Sequence, residues 1–396
     1  MTDRVLLLAG SVGVERVPAR PHPDDADWFL PLHVRDEAGA RERLAAQVAA
    51  GADVVVAPTW LTHRRALLPL GETRRAGTWT AAAVNVARQA LEIGLERRES
   101  ALAEVPDDDV RHGRPTPRVA AVLPALDDER ETATGRLLPH EAATERDYRD
   151  QAGAITDAEP DLILVEGQRV AADARTAMAE AAQTGLPVWA ALAPEALAST
   201  ELETWIDRAI THELERLLLP GPLADRRAAL EAPLAWGMLA PSDDPLAHWL
   251  AAGAGAVAWL DGAVPAVLES LRSAIDDVER AGIEAERAAK RRWQDHLRRA
   301  AAIAPGGAAA IVGRADDPAL PAGFDWTAIE RHELPYLPPE RFRLLVDRDA
   351  PIDDDGARAL EPGGIAVCPP AQSGELRLLE LDERADPPLA IYRREA

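Results

Sequence analysis

The sequence predicts an α/β protein: a (βα)8 barrel of the TIM type followed by a small C-terminal α/β extension. Two observations carry the prediction. Short apolar runs alternate with helical patterns over most of the chain, the sign of a parallel sheet built from βα units. These runs lack polar alternation, as strands covered on both faces require. Length adds a third: 396 residues exceed a barrel of typical size, about 250 residues, and leave room for an appendage.

Taken in order, the expected strands are Val5–Ala9, Val54–Ala57, Arg118–Leu123, Leu162–Glu166, Val188–Leu192, Arg216–Leu219, Leu234–Met238 and Ala256–Leu260. Amphipathic stretches separate them. Ala38–Ala50 precedes the second strand and Thr80–Leu95 follows it; His140–Asp157 precedes the fourth and Ala171–Gln183 follows it. Gly185-Leu186-Pro187 is a helix stop joined to a strand start. Glu99–Pro117, polar and proline-containing, reads as a surface loop. From Pro265 a helical pattern runs to about Ala302, and its charge-rich end, Glu284–Arg299, is expected to project from the barrel. Pro305-Gly306-Gly307 ends it, so the domains are expected at residues 1–303 and 304–396. Ala308–Val312, Phe342–Val346, Gly364–Val367 and Leu376–Leu381 are the strand candidates of the extension.

Composition excludes several partners. A formal net charge of −23 opposes nucleic acid, which needs clustered cations to displace phosphate counterions, and an anionic membrane surface. Lys290 is the only lysine, so arginine supplies the other basic residues. A single cysteine, Cys368, excludes an internal disulfide framework. No signal-peptide pattern opens the chain and no apolar run approaches ~20 residues, so a cytoplasmic protein is expected.

Three segments carry a family resemblance: Val5–Glu15 (VLLLAGSVGVE), Gly51–Trp60 (GADVVVAPTW) and Asp161–Thr176 (DLILVEGQRVAADART). Together with Ala83–Ala90 and Tyr148–Glu195 they resemble the homocysteine S-methyltransferase family over roughly Val5 to Arg272. The resemblance implies a barrel that methylates the sulfur of homocysteine, held as a thiolate on a zinc bound by three cysteines. Gly10, Gly13 and Glu15 fall on family positions, while the family's substrate-holding aspartate is replaced by Ala9. On the second strand Pro58-Thr59-Trp60 stands for the family's Asn-Thr-Tyr. Glu166 stands where the family places the carboxylate that binds the substrate's ammonium group. The cysteine position of the sixth strand falls at Leu219-Pro220-Gly221, and the adjacent pair of the eighth within Ala258-Trp259-Leu260-Asp261-Gly262. In the extension, Phe342–Val346 followed by Leu360–Gly364 resembles the late half of a class I methyltransferase, without its glycine-rich nucleotide loop.

The substitutions remove the chemistry that the resemblance implies. A free thiol has a pKa near ~8.5, so without the metal most thiolate activation is lost. A leucine and an aspartate do not replace two thiolates, and the nine histidines are scattered. No metal and no cofactor is therefore expected, and no catalytic residue is assigned. Substrate contacts are expected from Glu166, Gly10, Thr59, Trp60 and Asp261, at a mouth where barrel enzymes gather the ends of different strands. Trp60, Trp189, Trp236 and Trp259 lie in or just beyond strands. Facing the mouth they form an aromatic cup for a cationic onium group; packed inward they fill the core. Three functions stay open: a transferase that handles a sulfur amino acid or methylated donor without zinc, a non-catalytic barrel that binds a small amine or onium compound or regulates a partner, and a metal-independent acid/base enzyme using Glu166 and Asp261.

Overall fold

The computed structural model describes residues 4–10, 30–68, 70–103, 105–106, 109–126, 141–191, 193–198, 201–220, 223, 234–240, 246–260, 264–303, 307–312, 324–329, 333–334, 342–347, 357, 359–368, 376–382 and 389–394. Eight parallel strands close into a barrel in sequence order: β1 (Leu6–Ala9), β2 (Val54–Ala57), β3 (Arg118–Pro124), β4 (Leu162–Glu166), β5 (Val188–Ala191), β6 (Arg216–Pro220), β7 (Trp236–Ala240) and β8 (Ala256–Trp259). The helices are α1 (Leu32–Arg35), α2 (Glu37–Ala49), α3 (Arg64–Leu67), α4 (Ala76–Leu102), α5 (Glu141–Asp157), α6 (Ala171–Ala182), α7 (Pro194–Ala198), α8 (Leu202–Thr211), α9 (Leu246–Ala251) and α10 (Pro265–Ile303). This is the predicted (βα)8 barrel. Among the described residues no helix is long and apolar enough to cross a membrane.

Successive strand residues face opposite ways, and two apolar layers follow from that alternation. Leu8, Val54, Val56, Ala120, Val122, Leu162, Leu164, Trp189, Leu218, Ala256 and Ala258 fill the barrel interior. Their neighbours Leu7, Val55, Ala121, Ile163, Val165, Leu217, Leu219 and Val257 pack outward, in one cluster with helix residues such as Leu44, Val84, Met178, Trp205 and Leu268. Strands buried on both sides explain the unbroken apolar runs in the sequence.

The stretch Glu99–Pro117 is not wholly loop. α4 continues to Leu102, because Arg98 lies buried against the barrel, and Val110–Gly113 form a 3-10 turn capped by Asp109. The charge-rich end of α10, expected to leave the barrel, also carries an apolar stripe that the sequence reading did not assign. Trp293, Leu297 and Ala300 recur at helical spacing and are buried with Ala309, Leu344, Val346, Ile365 and Ile391, so this end belongs to a second core.

By compactness the chain divides after Arg280, inside α10, into Met1–Arg280 and Ala281–Ala396, where the sequence placed the boundary after residue 303. The second unit holds a six-stranded sheet of β9 (Gly307–Val312), β10 (Phe324–Ile329), β11 (Phe342–Asp347), β12 (Leu360–Cys368), β13 (Leu376–Asp382) and β14 (Leu389–Arg394), in the order β10-β9-β11-β12-β14-β13. The first four pair in parallel, and β14 runs antiparallel to both β12 and β13. Cys368 is buried at the end of β12.

Candidate functional site

The mouth of the barrel is built by the residues that end or follow the strands. Glu166 ends β4 in the same facing as Leu162 and Leu164, which line the interior, so its side chain takes the inward register above them. It is half-buried, and its backbone carbonyl accepts from Ala125 N at 3.1 Å, fixing the strand end beside Pro124. Gly167 follows with φ of +86°, a left-handed conformation that glycine adopts without strain. A β-carbon there would lie 2.6 Å from Cη2 of Trp60. The absent side chain thus lets the Trp60 indole close against the residue after Glu166. Trp60 also packs on the interior cluster. An indole and a carboxylate therefore share one side of the mouth.

Other predicted site residues hold the barrel itself. The Thr59 side chain is fully buried, accepting from Val122 N at 2.8 Å and donating to Val122 O at 3.2 Å. It ties the end of β2 to β3. Gly10 N donates to Trp259 O at 2.7 Å, and a β-carbon at Gly10 would come within 2.5 Å of the Leu260 backbone. Gly10 is thus the close approach that seals β1 against β8, and Gln47 reaches its carbonyl at 3.3 Å. Asp261 lies outside the described residues, as does Gly221.

The tryptophan cup expected as one possibility does not assemble. Trp189 is the second residue of β5, toward the opposite end, and fills the barrel floor. Trp236 and Trp259 belong to the outward layer against the helices. Only Trp60 of the four stands beside Glu166. Position within the strand carried that information: a residue at a strand's start sits at the floor, and one beyond its end at the mouth.

The floor is the more elaborate end. Guanidiniums of Arg118 and Arg216 stand 5.3 and 5.1 Å from the Trp189 ring centre, a cation–π arrangement. Arg118 forks onto Glu215 at 3.0 and 3.2 Å. Burial alone would raise the Glu215 carboxyl, but the bonds from Arg118, helped by the charge of Arg216, hold it below its ordinary value. Farther out, Asp53 accepts from Leu7 N at 3.0 Å and from Arg272 at 2.7 Å. Arg272 also pairs with Asp276, which binds Arg114. The sequence reading missed this group; its one local trace is Arg272 and Asp276, four apart within the buried stripe of Leu268 and Ile275.

Where the resemblance places metal-binding thiols, β6 ends in Leu219 and Pro220, and β8 in Ala258 and Trp259 followed by Leu260. Leu219 turns outward and Leu260 packs on the interior. Among the described residues no group of three His, Cys, Asp or Glu is placed to hold a metal ion.

A closed ring of eight parallel strands in sequence order, with helices around it, defines the class: a (βα)8 barrel. Comparison then gives the kind. The family model of homocysteine S-methyltransferase matches residues 41–217, and the barrel is homocysteine S-methyltransferase-like. The homocysteine methyltransferase MmuM from Escherichia coli in its metallated form aligns at 20% identity and a TM-score of 0.51, covering 68% of this chain and 96% of that one. Its oxidized form aligns at 18% identity with a TM-score of 0.50, covering 68% and 95%. At these identities the structural likeness shows the shared fold. No curated protein sequence matches the chain.

Proposed function

We propose that the mouth binds a small cationic metabolite, an amino acid or a methylated onium compound, and that the barrel is a divergent relative of the homocysteine S-methyltransferases working without a zinc thiolate. Glu166 carries this reading. It brings a carboxylate to the inward register of a strand end, above an apolar interior, where an ammonium or sulfonium group is the natural counter-charge. The Trp60 indole against Gly167 supports it, since an aromatic face adds attraction of about 0.5–2 kcal/mol for such cations. The chemistry of the strand ends argues against the metal: proline, leucine and alanine are not ligands, and a zinc site needs nitrogen, thiolate or carboxylate donors. Cys368, the sole thiol, lies in the other unit.

Two measurements test this. Protein purified without chelators is expected to contain no stoichiometric zinc by elemental mass spectrometry. One zinc per chain, lost on substituting Asp261 or Glu166, would show that the mouth does assemble a metal site. Calorimetry with betaine-like, sulfonium and amino acid ligands is expected to show binding that phosphorylated and dicarboxylic compounds do not compete for at the mouth. Cation binding indifferent to Glu166→Gln refutes the assignment. Turnover of a bound methyl donor then separates a transferase from a binding barrel.

A further inference from the structure

A second charged site lies at the opposite end of the barrel. The last turns of α4, the segments before β2 and β3, and the first half of α10 enclose a recess of about 410 Å³. Arg98, Arg114 and Arg272 reach its inner wall, and Arg111, Arg280, Glu269 and Asp277 stand at its rim. The three inner guanidiniums are more than nine-tenths buried, as are Asp53 and Asp276, the carboxylates they face. Both carboxylates are shared among these guanidiniums, although Asp53 Oδ1 and Asp276 Oδ1 are themselves buried without a hydrogen bond. Asp53 Oδ2 serves Leu7 N and Arg272 Nη1, and Asp276 serves Arg114 and Arg272. Arg98 is left with an ion pair at 3.8 Å to Asp53, beyond hydrogen-bond reach. Its buried Nη1 has no acceptor, and neither has Nε of Arg114.

Among these described residues, three buried positive charges share two negative ones. Rim charges do not repair the imbalance, because Arg111 is bound to Asp109 and Arg280 to Asp277. Glu269 is exposed. The desolvation is felt by the groups themselves. Burial pushes the Arg98 guanidinium below its ordinary value. Burial, then repulsion from Arg272, brings Arg114 down to about 10. A buried charge is retained only when paired or hydrogen-bonded, and here the missing partner faces open space large enough for a small metabolite.

We infer that this recess binds an oxyanion, the phosphate or carboxylate group of a small metabolite, with Arg98 as its principal contact and Arg114 beside it. Guanidinium N–H groups match such oxygens in geometry as well as charge. The setting favours selectivity: in a chain of net charge −23, anions are repelled nearly everywhere else.

The test uses the full chain in low-chloride buffer, with phosphate, malonate and acetate as probes and sodium chloride at matched ionic strength as the control. Calorimetry and thermal shift are expected to show saturable binding of one oxyanion per chain. Preference for phosphate or for the carboxylates names the head group, and either supports the site. Arg98→Met, which leaves two inner charges of each sign, is expected to weaken binding by about tenfold or more. Glu269→Gln, exposed and outside the inner network, is expected to tighten it roughly twofold. Glu166→Gln, at the other end, is expected to leave it unchanged, so failure here and failure at the mouth are read separately. Absence of saturation, or equal binding by wild type and Arg98→Met, overturns the inference and leaves a hydrated ion-pair network.

Discussion

The two ends of this barrel use charge in opposite ways. At the floor, arginines and carboxylates from distant strands and helices are paired with one another, and two guanidiniums stand against the Trp189 ring. At the mouth, Glu166 rises from an apolar interior beside one indole, while Thr59 and Gly10 serve the backbone. The floor's side chains hold strands together; the mouth's carboxylate stands in the inward register of a strand end, where we propose that a ligand binds. That is the division of labour expected of barrels, stability below and chemistry above. The recess beside Arg98 is the exception, a place at the floor where the pairing is incomplete.

The contrast is most directly broken at Trp189. Trp189→Ala removes the largest interior side chain and the surface on which Arg118 and Arg216 stack. Urea unfolding is expected to show a loss of about 3–5 kcal/mol. A loss below ~1 kcal/mol would mean that the floor does not bear the barrel's stability.

Acid is expected to act on the other side. His33 in α1, which follows the mouth end of β1, is buried, and that burial lowers its pKa from 6.5 to about 4. Below pH 6.5 the unfolded chain takes up a proton at His33 that the folded chain refuses until about pH 4. Stability should therefore fall by about 3 kcal/mol across that window and level off beneath it, as far as this group is concerned. His33→Gln is expected to flatten the curve there. Floor carboxylates such as Glu215, held below their ordinary value by arginine, should keep their charge to lower pH.

Smaller effects sharpen the difference within the mouth. Thr59→Val strands the Val122 N–H and carbonyl and is expected to cost about 1–3 kcal/mol of stability. Glu166→Gln is expected to change stability by less than ~1 kcal/mol while weakening a cationic ligand about tenfold. If Thr59→Val instead abolishes ligand binding at unchanged stability, the hydroxyl faces substrate and its role here is misassigned.

Much of the fold was legible. Each barrel strand lies within two residues of its expected bounds, because strands buried on both faces leave continuous apolar runs. β10 and β14 escaped notice. Phe324-Asp325-Trp326-Thr327-Ala328-Ile329 interleaves polar residues, and Leu389–Arg394 ends in two arginines. At the candidate site, the strand-end position of Glu166 was legible because a glutamate ending Leu-Ile-Leu-Val is locally conspicuous. The Asp53–Arg272 pair could not, since its members lie 219 residues apart and only closure of the barrel joins them. The tryptophans fall between: their strand positions were readable, yet which layer each one faced depended on register.

The seam at Gly10 sets a schedule for the growing chain. β1 is made first, but one of its two neighbours, β8, is made last: Ala9 pairs with Trp259, about 250 residues later. At 5–20 residues per second, the first strand waits roughly 10–50 s for that partner. Through this interval Leu6-Leu7-Leu8-Ala9 has β2 along one edge and an open row of backbone groups along the other. Unsatisfied apolar edges of this kind recruit foreign strands. During synthesis the glycine contact that closes the finished barrel is therefore a vacancy, and the apolar edge of β1 is what a chaperone would have to cover.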